Sequence, residues 1–125
     1  MTILNIEDSV LVVIDVQEKL LNAVFNKTSL EKKATTVANT AKILGIPVIV
    51  TEQYPKGLGA TIESLKNVLP EDTQYFEKTA FSALENKEVK DALKKLGKKQ
   101  VVIFGIETHI CVSQTTNALI QEGFD

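Results

Sequence analysis

Val10-Leu11-Val12-Val13-Ile14-Asp15 is the stretch that decides the fold. An unbroken aliphatic run rich in β-branched side chains, with no alternation, suits a strand covered on both faces, as in a parallel sheet. The carboxylate that closes it marks the strand's carboxyl end. Outward from there the chain alternates. Thr28-Ser29-Leu30-Glu31 reads as a capping box. Leu30, Ala34, Val37, Ala41 and Leu44 then fall on one helical face, and Gly45 stops the helix. Ile46-Pro47-Val48-Ile49-Val50 follows as a second strand, with proline tolerated at its start. Residues 54–59 read as loop, 62–67 as a short helix and Gln74–Glu77 as a brief third strand. Ser82-Ala83-Leu84-Glu85 resembles another capping box, ahead of the stripe Val89, Ala92, Leu93 and Leu96 that Gly97 ends. Val101–Phe104 is a further buried strand, Gly105–Ile110 a turn, and a helix follows to about Glu122. Strands separated by helices imply right-handed crossovers, and so a three-layer α/β/α, doubly wound, Rossmann-like parallel sheet.

Length and composition bound the rest. The chain of 125 residues is expected to form one domain over 1–125. Its formal net charge of -2 gives no electrostatic case for nucleic acid or an anionic membrane. The apolar runs are too short to span a bilayer, and the N-terminus shows no basic region or cleavage pattern. One cysteine cannot form an intrachain disulfide, so a reducing, cytoplasmic compartment is the expectation. Lys94, Lys95, Lys98 and Lys99 surround a helix end and read as a solvated face. No Gly-x-Gly-x-x-Gly or Walker A pattern follows any strand, and no cofactor is expected.

In doubly wound sheets ligands bind beyond the carboxyl ends of the strands. Asp15 and Cys111 both lie there. Cys111 sits in the first turn of a helix, where free N–H groups and the positive dipole end favour a thiolate. A packing cysteine is the other reading. Asp15 is a general base or acid at the sheet mouth, or else the cap of a turn. Lys78, flanked by Tyr75, Phe76 and Phe81, is either solvated like most lysines or partly buried against an anion such as Asp15 or a thiolate. His109, the sole histidine, lies two positions from Cys111, a poor geometry for taking its proton; it lines a pocket or is solvated. One histidine and one cysteine argue against a zinc site.

Three segments give the chain a family likeness. Leu11–Gln17 with Asp15, Phe76–Ser82 with Lys78, and Gly105–Val112 with Cys111 resemble the motifs of isochorismatase-like hydrolases, the cysteine hydrolase superfamily that includes nicotinamidases and carbamoylsarcosine amidases. A fourth, Thr51-Glu52-Gln53-Tyr54-Pro55-Lys56-Gly57-Leu58-Gly59, resembles the branch of isochorismatase domain-containing proteins. The resemblance implies a catalytic triad of Cys111, Asp15 and Lys78. It also implies a cis peptide between Ile106 and Glu107 that aims the Glu107 N–H, beside that of Cys111, into an oxyanion hole. Gln17, Gln53, Tyr54 and Phe81 are the expected substrate-binding residues.

Two departures refine these expectations. Metal-binding nicotinamidases carry histidines after the second strand, whereas this chain reads Thr51-Glu52-Gln53-Tyr54, so no catalytic metal is expected. Isochorismatases proper lack the cysteine, so its presence points to an amide-like bond in a small molecule. Family members continue through at least one more strand and helix, and a C-terminally truncated domain with an open edge at Val101–Phe104 is expected, favouring a homo-oligomer. A catalytically impaired scaffold or binding protein is the alternative. A receiver-type signalling domain lacks support, because no second acid adjoins Asp15, and a redox thiol would lack a resolving cysteine.

Overall fold

The structure is a computed structural model that describes residues 3–125. A 3-10 turn at Ile6–Asp8 leads into β1 (Ser9–Ile14), whose every residue is buried. α1 (Glu18–Ala23) and α2 (Lys27–Leu44) lead to β2 (Val48–Gln53). The single turns α3 (Pro55–Leu58) and α4 (Glu63–Lys66) precede β3 (Gln74–Lys78). A 3-10 turn at Ala83–Glu85, α5 (Lys87–Leu96) and β4 (Gln100–Gly105) follow. A π-turn at Thr108–Val112 runs directly into α6 (Ser113–Gln121).

The sheet order is β3-β2-β1-β4 and every pairing is parallel. Successive residues of a strand point to opposite faces, and β1 divides its side chains accordingly. Leu11 and Val13 join Ala34, Ala38 and Ala41 of α2 with Leu65 and Leu69. Val10, Val12 and Ile14 meet Val89 and Leu93 of α5, Leu119 of α6 and Cys111. Full burial of one such aliphatic side chain contributes about 1.5–3 kcal/mol, so β1 outweighs any surface ion pair in fixing the layers.

Several local expectations shift. α2 begins at Lys27 after Asn26 in the left-handed region, with no side-chain cap, so Thr28 caps nothing. Glu31 instead accepts a hydrogen bond from the Ser64 hydroxyl, tying α2 to α4. The buried stripe of α2 is all alanine, which lets the helix lie close on the sheet. Val37 and Leu44 therefore turn outward, 38% and 42% exposed. They line an apolar groove of 270 Å³ with Leu4, Ile46 and Val102, beside β4. The Ser82 hydroxyl caps only the 3-10 turn; Asn86 caps α5, accepting from the Glu88 N–H at 2.8 Å. The expected loop after β2 contains a helical turn with proline at its first position.

At the far edge, Asp125 donates to the Lys99 carbonyl and accepts from the Val101 N–H, both at 2.8 Å. No β-strand among the described residues flanks β4 on that side.

Candidate active site

The site begins where β1 stops. Asp15 has φ 54, a left-handed conformation that aspartate tolerates better than most residues. Its N–H is held by the Thr51 carbonyl at 3.1 Å, and its carbonyl accepts from Gln17 N–H at 3.0 Å. This sharp turn sends the carboxylate back over the sheet. There Oδ1 accepts from the Thr51 hydroxyl at 2.8 Å. Oδ2 meets the Lys78 ammonium at 2.9 Å, in an ion pair whose side chains are each 1% exposed.

Lys78 arrives from the end of β3. Its Nζ also donates to Gln53 Oε1 at 2.7 Å, the Ala80 carbonyl at 2.9 Å and the Phe81 carbonyl at 3.1 Å. Cys111 Sγ lies 3.6 Å from the same nitrogen. The sequence-derived trio Asp15, Lys78 and Cys111 is thus brought together, at the point where the strand order reverses between β1 and β4.

Cys111 is placed by the turn after β4. Gly105 allows that turn: a Cβ there would stand 2.4 Å from the Ile14 carbonyl and 2.7 Å from Val112 Cγ2. The π-turn is tied by the Glu107 carbonyl, which accepts from the N–H groups of Ile110 and Val112 at 3.1 and 3.2 Å. Such wide turns are frequent at functional sites. The Glu107 N–H takes no part in these bonds. No peptide bond among the described residues is cis, so the expected cis bond between Ile106 and Glu107 is corrected to trans. A cis bond there costs about 3–4 kcal/mol, and the carbonyl bonds of Glu107 close the turn without it.

The thiol is the second correction. Burial pushes its pKa up to about 11, with help from the hydrogen bond and charge of Asp15 and the charge of Glu107, while Lys78 pulls the other way. Desolvation outweighs the helix-end field that position alone suggested. Cys111 is 2% exposed, so its side chain rests as a covered, protonated thiol.

Of the expected substrate contacts, Gln17 is reassigned. It is wholly buried, and its amide bridges the Gln53 N–H and carbonyl at 2.7 and 2.9 Å and the Gly59 carbonyl at 2.7 Å. It pins the segment after β2 and has no donor left for a ligand. Gln53 turns to Lys78. Tyr54 and Lys78 line a cavity of 490 Å³ with Lys56, Thr79 and Ala80. The Phe81 side chain is half exposed beside this segment, and His109 is exposed to solvent. Thr51 and the carbonyls of Ala80 and Phe81 escaped sequence reasoning, because nothing local tells which residues of neighbouring strands meet.

Residues 9–125 match the Isochorismatase domain family model. Isochorismatase family protein 1B of Dictyostelium discoideum is 40% identical over 123 residues, which cover 95% of this chain and 59% of that protein. The structure of MAR1 ribonuclease from Caenorhabditis elegans superposes with a TM-score of 0.91 at 42% identity, over 98% of this chain and 62% of that one. The YcaC gene product of Escherichia coli, described as an octameric hydrolase of unknown specificity, superposes with a TM-score of 0.88 at 29% identity, over 98% and 61% of the two chains. The chain therefore spans about three-fifths of the length of these relatives.

Proposed function

Since the chain belongs to the isochorismatase family, we propose that it is a hydrolase that cleaves an amide-like C–N bond of a small molecule through a thioester at Cys111. The observation that carries this reading is the placement of Lys78 Nζ, 2.9 Å from Asp15 and 3.6 Å from Cys111 Sγ. A carboxylate, an ammonium and a thiol within one hydrogen-bonding cluster have the parts of an activated nucleophile.

Asp15 takes the thiol proton as Sγ bonds to the substrate carbonyl carbon. The proton moves with the attack, because a thiol at about 11 holds it until then. Lys78 offsets the negative charge that builds on the cluster. The N–H groups of Glu107 and Cys111 are the donors offered to the oxyanion, each worth about 3–4 kcal/mol in such roles. Asp15 then passes its proton to the leaving nitrogen as the C–N bond breaks. Water, losing a proton to Asp15, attacks the thioester, and the acid leaves with the thiol restored.

The test is turnover of an amide panel with mass spectrometry of the protein. An acyl adduct on wild type, absent from Cys111→Ala along with turnover, is expected; equal turnover by both rejects the mechanism. The ribonuclease name of one neighbour makes RNA a further arm of the panel, which the net charge of -2 does not favour.

A second reading, a catalytically impaired binding or scaffold protein, is favoured by the covered thiol at 2% exposure. It predicts no turnover in any arm and no adduct. Under either reading the apolar β4 edge favours a homo-oligomer, as in the octameric relative. No helix among the described residues is long and apolar enough to cross a membrane. The lone cysteine suits a reducing, cytoplasmic setting.

A further inference from the structure

An ammonium has three N–H donors, yet Lys78 Nζ has four oxygens around it and the sulfur of Cys111 besides. The distances rank the competitors. Gln53 Oε1 is nearest at 2.7 Å; Asp15 Oδ2 and the Ala80 carbonyl stand at 2.9 Å and the Phe81 carbonyl at 3.1 Å. The sulfur is last at 3.6 Å.

These acceptors are not equally free to leave. Two are backbone carbonyls. Asp15 is charged, wholly buried and tied to Thr51. The Gln53 side chain is neutral and half-buried, and its other bond, from Nε2 to the Thr79 carbonyl at 3.1 Å, is exposed. That second bond fixes the amide's orientation, leaving Oε1 for the lysine. The Gln17 amide holds Gln53 by its backbone and not by its side chain, so that side chain can swing while its strand stays put.

We propose that Gln53 is a positioning residue that restrains the nucleophile: its side-chain carbonyl holds a Lys78 N–H that would otherwise turn toward Cys111 Sγ, and its displacement releases that donor. This rests on the hydrolase reading above and adds a regulation of the same site. A substrate that pushes the Gln53 amide aside frees the donor at the moment a nucleophile is wanted. The charged groups facing the thiol are Asp15 from the turn after β1, Lys78 from β3 and Glu107 from the turn after β4, and the resting thiol at about 11 agrees with a restrained lysine.

The test uses iodoacetamide on the whole chain, with the alkylation rate of Cys111 followed against pH. Gln53→Leu removes the acceptor, and the midpoint moves down by about one unit, with alkylation at pH 8 about tenfold faster. Gln53→Glu keeps the acceptor and adds a negative charge, and the midpoint moves up. Gln53→Met repeats the first arm should the leucine variant melt early. A downward shift with Leu supports the proposal, while the upward shift with Glu, which its charge alone produces, shows that the thiol senses this position. A leucine midpoint that stays or rises, or a glutamate midpoint that falls, overturns it. The hydrolase reading fails separately, by turnover that survives Cys111→Ala.

Discussion

The two edges of the sheet are both parallel strands, and each delivers one side chain to the cluster around Asp15, but they differ in what faces outward. β3 carries Gln74, Tyr75 and Glu77 facing solvent, and only Lys78 is buried at its end. β4 is Gln100-Val101-Val102-Ile103-Phe104-Gly105, half-buried along nearly its whole length. A polar, short edge can end a sheet in water; an apolar one, whose Val101 N–H is taken by the Asp125 carbonyl, offers its other outward groups to another strand. The contrast extends to the groups they present. β3 ends in a charge held by an opposite charge, whereas β4 leads to a thiol that burial keeps neutral.

The largest test of this contrast is Lys78→Met. Removing one partner of a buried ion pair strands the other, at a cost of about 3–5 kcal/mol. Glu77→Gln, one residue earlier on the same strand but exposed, should change stability by no more than about 0.5 kcal/mol. Urea unfolding of the two variants reads both numbers. Similar losses would mean that the β3 edge is not divided between a solvated stretch and a buried tip.

On the β4 side the corresponding effect appears with pH. The folded thiol titrates at about 11 against an ordinary 9.0, so the folded state holds its proton more tightly. Stability from this group is fully present below pH 9 and is lost as pH rises through 11. The loss is at most about 2–3 kcal/mol for a shift of that size. Cys111→Ser should lack this alkaline component in urea titrations from pH 8 to 11. An identical slope in wild type and variant would assign the loss to other groups.

How far these properties could be read beforehand follows from the same physics. β1 was legible because a strand buried on both faces must be apolar throughout. β4 was legible as a strand by the same apolar run, but at the sheet edge Val101–Phe104 is half-buried and not the buried strand expected. Gly45 and Gly97 were legible as stops because both adopt positive φ. Asp15 and Cys111 stood out as polar groups closing or following such strands. α1 was missed because Glu18–Ala23 is short and buries only Leu21. The stripe of α2 was misplaced because its contact face is alanine, which hydrophobic patterning underweights. The thiol's direction was misjudged because burial is a tertiary quantity, and the role of Gln17 because its partners Gln53 and Gly59 lie 36 and 42 residues away.

Self-association separates the edges next. Val101 points its N–H outward to Asp125, so by alternation Ile103 does also, while Val102 pairs toward β1. Ile103→Pro therefore removes an outward donor without touching the β1–β4 ladder. The wild type is expected to sediment above monomer mass, and Ile103→Pro at a lower mass. An unchanged mass would place any interface elsewhere on the molecule.

The smallest effect is Tyr75→Thr on β3. Tyr75 is 43% exposed, and its phenol pKa is raised by partial burial first and then by Glu52 and Glu63. Threonine suits an exposed strand position, so the expected stability change is below about 0.5 kcal/mol, with unaltered sedimentation. The matched Ile103→Thr on β4 removes half-buried apolar surface and should cost about 1 kcal/mol. A Tyr75→Thr loss equal to that of Ile103→Thr would mean that β3 is also covered in solution, and the polarity of its outer residues would then need another cause than water.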